Sequence, residues 1–174
     1  WMESHEFQVM EGGFGDYMNI DKSVVIESII NFIILYFIMS HFDIDSSRPL
    51  REDDIYAWIS SHSQECGIDK QPLSFLDILI ECAQAWKNFY NSNDINGLKN
   101  PYLKNLTHLS GAAKQHYILL LAGRHLQKDL FTELCRNIEN LFFTYIITRE
   151  STKTFERNFS KWSKELKEVK DKDE

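Results

Sequence analysis

With 174 residues, 43% of them hydrophobic and 13% aromatic, and only 7 Gly and 3 Pro, the chain can bury the core of one domain and is too apolar for a disordered segment. A formal net charge of -7 gives no global attraction for nucleic acid or an anionic membrane surface, so any such contact must come from a local basic patch. Three widely spaced cysteines without a CxxC pair, Cys66, Cys82 and Cys135, fit reduced core thiols of a cytoplasmic protein rather than a disulfide or zinc framework.

Residues 1–20 show no period. Gly12, Gly13 and Gly15 break the chain there, and the GGFG run lacks the Lys-Ser/Thr of a phosphate loop. An irregular arm or linker is expected over this stretch, ahead of a helical domain spanning 21–170. The chain opens on Trp1 rather than Met, with no signal-peptide pattern behind it, and a piece of a longer protein is the expectation.

Val24 to Phe42 is the most apolar run. A helix greasy nearly all round belongs at the centre of a bundle, and that is where this run is expected. Its length approaches a membrane span. Glu27 inside it, and the lack of a flanking Lys/Arg cluster, argue against lipid, so no membrane contact is expected. Arg48-Pro49 should stop the preceding helix. Glu52, Asp53 and Asp54 suit the first turn of the next, where the helix dipole favours negative charge. Ile55, Trp58 and Ile59 form its apolar stripe, and Cys66-Gly67 should end it.

Ser74 with Asp77 resembles a capping box. The helix it would open carries Leu76, Leu79, Ile80, Ala83, Trp86, Lys87 and Tyr90 along its turns. Asn91 to Gly97 should end it. Asn100-Pro101 pairs a cap with a proline at the first helical position, predicting a short helix to about Leu109. Gly111 punctuates, and Ala112 to Leu126 reads as a further helix with its YILLLA segment buried. Asp129 is the expected cap of the penultimate helix, whose apolar positions are Leu130, Phe131, Leu134, Cys135, Ile138, Leu141, Phe142 and Tyr145. A turn at 148–151 follows. Ser151 or Thr152 should cap the last helix, where Phe155, Phe159, Trp162, Leu166 and Val169 recur at three- and four-residue steps. Residues 171–174 should fray. Nothing reads as a strand. The expected fold is all-α, a single compact bundle of six or seven helices with a very apolar central helix.

No catalytic constellation is visible. The six histidines include no i, i+4 pair and no HExxH, so no metal site is expected. There is no GxSxG and no Walker motif, and no cofactor is expected. Cys66, near His62, is the one thiol close to an imidazole, and it reads as a surface thiol beside a surface histidine. The basic residues Arg149, Lys153, Arg157, Lys161, Lys164 and Lys167 follow at steps of four and three and spread over about half of the last helix surface. Such a face could track a phosphate backbone. The acidic residues Glu150, Glu156, Glu165 and Glu168 are mixed with it, and Lys161–Glu165 and Lys164–Glu168 are i, i+4 pairs. An ordinary solvated face and a nucleic-acid or partner contact through Arg149, Lys153, Arg157, Lys161 and Lys164 both stay open.

Three stretches taken together resemble a known family. They are NFIILYFIMSHF followed by RPLREDDIYAWI; LDILIECAQAWKNFYN followed by LKNLTHL and YILLLAGRHL; and LFTELCRNIENLFFTYIITRESTKTFERNFSKWSKEL. Their order is similar to the helical region of the GmrSD-like modification-dependent restriction proteins. In that family a ParB/sulfiredoxin-like domain with a DGQQR motif handles nucleoside triphosphate, and many members end in an HNH nuclease domain. The likeness covers about residues 24–169. It includes the aromatic pair Phe142-Phe143, the turn from Thr148 to Thr152 and the closing helix from Phe155. This chain has neither DGQQR nor an HNH motif, so no catalytic residue carries over. The resemblance implies a non-catalytic helical module of a restriction-like, anti-phage protein. Such a module would be an interdomain scaffold whose partners are neighbouring domains, with duplex DNA as a further contact open to it. The alternative is a free-standing helical protein-protein interaction or regulatory domain.

Overall fold

The computed structural model describes residues 22–42, 50–110, 114–149 and 152–169, and gives the side chains of all of these except 22–29, 110 and 152–157. Seven α-helices, and no strand, are found among them. They are α1 Lys22–His41, α2 Ile55–Ser61, α3 Pro72–Tyr90, α4 Pro101–Ser110, α5 His116–Ala122, α6 Lys128–Thr148 and α7 Thr152–Glu168. Single 3₁₀ turns, Glu52–Asp54 and Gly123–His125, precede α2 and follow α5. The all-α bundle is thus the architecture. The chain divides into two units, Trp1–Ile30 and Asn31–Glu174. Among the described residues, the buried hydrophobic core runs from Tyr36 to Phe159 in the second. The expected arm over 1–20, the stop at Arg48-Pro49, the punctuation at Gly111, the cap at Ser151 and the frayed 171–174 lie outside the described residues.

Among the described side chains, the helix buried all round is α5. Every residue from His116 to Ala122 is buried, as a helix must be when α3, α6 and α7 surround it. Burial on α1 is found over Tyr36 to Ser40, whereas Ile30 is half exposed. Phe37 of α1 meets Phe75 of α3 edge-on at 5.6 Å. Among the described residues, no helix is long and apolar enough to cross a membrane.

Two small residues let α7 approach this core. Ser160 and Ser163 are buried alongside Phe159. The Ser163 hydroxyl lies 2.8 Å from Ser160 O and 3.2 Å from Met39 O, so α7 is tied to the α1 backbone by a buried donor. On the other side α4, with Leu103 and Leu106 buried, lies along α6. The inner face of α6 is Phe131, Cys135, Ile138 and Phe142, with Leu130, Leu134, Leu141 and Tyr145 partly buried beside it. These are the positions its sequence period picks out.

Helix ends depart from the sequence signals in instructive ways. Pro72 at the first position opens α3. The Ser74 hydroxyl turns back to Gln71 Oε1 at 3.4 Å and caps no backbone group, so the Ser74–Asp77 box does not form. Gln127, not Asp129, occupies the cap position of α6. Asp129 sits in the first turn, where its charge acts on the helix dipole. Helix α2 stops at Ser61, before Cys66-Gly67: the His62 backbone leaves the helical region at φ -114°, ψ 23°, and its ring stacks on Trp58 at 4.4 Å. Gly67, at φ +72°, turns the segment beyond. The cap at Asn100 forms as expected, its Oδ1 accepting from the N–H groups of Tyr102 at 3.0 Å and Leu103 at 3.3 Å. Helix α5 is shorter than the expected Ala112–Leu126: Lys114 and Gln115 are not yet helical, and beyond Ala122 the chain tightens into the 3₁₀ turn at Gly123.

Candidate functional site

Helix α3 has two apolar faces. Cys82, Ala85 and Phe89 are buried. Leu73, Leu76 and Ile80, at i, i+3 and i+7, stand 73%, 48% and 54% exposed. Residues at this spacing form one ridge along the helix. Leu76 and Ile80, which the sequence places on the same turns as Trp86 and Tyr90, therefore face away from the core. A second exposed apolar group, Phe143, Ile146 and Ile147, closes α6. Exposed leucines scattered singly are ordinary, whereas a ridge of large apolar groups is characteristic of contact surfaces.

The expected basic surface is only partly described. Arg149 is exposed and ends α6 in the left-handed region at φ +57°, its N–H donating to Ile146 O at 3.3 Å. Glycine is the usual residue there, so a charged side chain at this turn carries a backbone strain of about 1 kcal/mol. Lys161 is exposed and Lys164 is half-buried. Lys153 and Arg157 lie on α7, with side chains outside the described set.

The thiols are not poised for chemistry. All three cysteines are free and buried, which corrects the expectation of a surface thiol at Cys66. Burial, and then Glu65, pushes the Cys66 thiol up from its ordinary value. The His62 ring is engaged instead with Trp58 O and the Ser61 hydroxyl, each 2.9 Å from Nδ1. Burial raises Cys82, against the pull of Arg124, and raises Cys135 to about 12. Neutral thiols are poor nucleophiles and poor metal ligands. Among the described residues no group of His, Cys, Asp and Glu could hold a metal ion.

An open cleft of about 680 Å³ lies where the ends of α1, α5 and α7 meet the side of α3. The helix ends contribute His41, Arg124, His125 and Lys167, and α3 contributes Glu81, Gln84 and Asn88. Arg124 is half-buried. It donates through Nη1 to Leu121 O at 2.8 Å and through Nη2 to His41 Nδ1 at 3.2 Å. A guanidinium has no acceptor, so this contact places the His41 proton on Nε2. Burial first, then the charges of Arg124 and Lys167, hold the His41 ionisation down to about 4. The ring is neutral at physiological pH, stacked on Phe37 at 5.3 Å. His125 lies between two carbonyls, with Nδ1 3.0 Å from Ala122 O and Nε2 2.9 Å from Val169 O. Sequence reasoning missed this cleft because its residues are scattered between positions 40 and 167 and share no motif. The nearest signal was basic residues at helix ends, and that pattern is common to most helices.

No family model, curated protein or solved structure matches this chain.

Proposed function

We propose that the chain is a non-catalytic helical module of a restriction-like protein, holding neighbouring domains through its exposed apolar ridges and touching duplex DNA through the α6–α7 turn and α7. The observation that carries this reading is the Leu73–Leu76–Ile80 ridge on α3. A ridge of that size is costly to leave in water, at about 25 cal/mol per Å² of apolar area, and a neighbouring domain would cover it. The raised thiols support a module without covalent chemistry of its own. The strained Arg149 and the exposed Lys161 support a phosphate contact, because cations are what a nucleic-acid backbone selects.

The test is made in the intact reading frame. A frame that encodes DGQQR beside this chain, and loses its nuclease activity on Leu76→Glu plus Ile80→Glu while this chain keeps its thermal midpoint, supports the scaffold. A frame bounded by these same ends favours the free-standing interaction domain instead. For the DNA contact, Arg149→Glu plus Lys161→Glu should weaken duplex binding by about tenfold or more and flatten its salt dependence. Unchanged binding would remove DNA from the proposal.

A further inference from the structure

The cleft between α3 and the ends of α1, α5 and α7 has chemistry that a scaffold does not need. We propose that it binds a small organic oxyanion, a carboxylate or a phosphate monoester, with Arg124, Lys167 and the Nε2–H of His41 around the anion and Gln84 and Asn88 around its neutral polar part. This inference rests on the cleft alone and is independent of the scaffold reading.

Three observations carry it. The first is Arg124. Among the described residues its hydrogen-bond partners are one carbonyl and one imidazole nitrogen, and no carboxylate pairs with it. A half-buried guanidinium without a counter-ion is unusual, since charges withdrawn from water are ordinarily paired. Two of its five N–H groups are used in these bonds, and a guanidinium is the side chain that can grip an oxyanion at two points.

The second is His41. Its Nδ1 lone pair is taken by Arg124. What the ring can offer the cleft is therefore one neutral N–H donor, which suits an anion and would repel a cation's own donors.

The third is the balance of charge. In a chain of net charge -7, the described residues lining the cleft include two cations, Arg124 and Lys167, and one carboxylate, Glu81. The end carbonyls of α5 and the carbonyl of Val169 also favour these cations, and they account for one Arg124 N–H and for the His125 contacts. They do not account for the unbonded part of the Arg124 fork, for His41, or for the open volume. At about 680 Å³ the cleft has the size of sites that take metabolite-sized ligands. The amides of Gln84 and Asn88, from α3, line the same cleft. Asn88 Nδ2 donates to Ile95 O at 3.3 Å, which fixes that amide and leaves its oxygen as an acceptor.

The experiment is calorimetric titration of the whole chain at low ionic strength and neutral pH, with inorganic phosphate and with succinate as probes. Saturable binding of phosphate alone assigns a phosphate monoester; of succinate alone, a carboxylate; of both, the shared oxyanion chemistry. Arg124→Gln should weaken binding by about tenfold, Lys167→Gln by about threefold, and Glu81→Gln should tighten it by about twofold. Arg124 also bonds a helix-end carbonyl, so its variant could lose stability. The two rim variants then decide the matter through their opposite signs. Failure of both probes to saturate overturns the proposal. So does binding that neither rim variant shifts, or a short DNA duplex that depends on Arg124 while neither small anion binds.

Discussion

Helices α3 and α6 are close in length, 19 and 21 residues, and both are rich in large apolar side chains, yet they use them differently. On most of α6 the sequence period and the buried face coincide: Phe131, Cys135, Ile138 and Phe142 point inward with Asp129, Arg136 and Asn137 outside. On α3 apolar residues wrap most of the circumference near its start. The face that packs carries Cys82, Ala85 and Phe89, flanked by Phe75, Ile78, Leu79 and Trp86, and Leu73, Leu76 and Ile80 are left outside. Periodicity reports where grease is. Which grease is buried depends on where the neighbouring helices lie, and that is set by the whole bundle.

The largest effect that tests this contrast should come from the α6 face. Phe131→Ala or Phe142→Ala should lower the unfolding free energy by about 3–5 kcal/mol in urea titrations; values near zero would mean that α6 is not docked. The second largest probes close packing at Gly123. A Cβ there would collide with the Leu134 side chain and press on Leu126 and Leu166, so Gly123→Ala should destabilise by about 1–3 kcal/mol.

The third is a pH effect at His41. Its ionisation in the fold is held at about 4, below the 6.5 of an unfolded chain. The unfolded state therefore binds a proton first as pH falls. This contribution to stability is complete above about 6.5 and is lost progressively toward 4. Allowing for solvent screening of a part-exposed ring, it amounts to about 1–2 kcal/mol. His41→Gln should remove that part of the pH dependence in thermal melts, and a wild-type midpoint flat between these limits would contradict the assignment. Below this in size, Asn100→Ala should cost about 1 kcal/mol through loss of the α4 cap. The smallest effect completes the contrast: Leu76→Ser with Ile80→Ser should change stability by no more than about 0.5 kcal/mol per site, as exposed positions do.

Much of the fold was legible in the chain. The α6 stripe, the buried YILLLA segment of α5 and the Asn100-Pro101 start follow from periodicity and capping chemistry, and the structure bears them out. Phe159 lies at the centre of the α7 stripe and is buried there. The buried Ser160 and Ser163 beside it were not foreseen, because serine in a helix resembles a solvated residue until a backbone carbonyl such as Met39 O comes within reach. The caps of α3 and α6 were misplaced for a related reason. Ser74 and Asp129 have the right chemistry, but Pro72 fixes its own φ two residues earlier, and the α6 helix begins with Lys128. The cleft was illegible. It exists only once three helix ends converge, and no local pattern encodes Arg124 meeting His41 across the bundle.

The most direct measurement is native-state thiol labelling at α3. The wild-type chain, with its three buried cysteines, should react slowly, and Leu76→Cys should add one thiol that reacts as fast as an unfolded control. Rapid labelling of Cys82, or a protected thiol at position 76, would show that α3 buries the other face and would contradict the outward ridge.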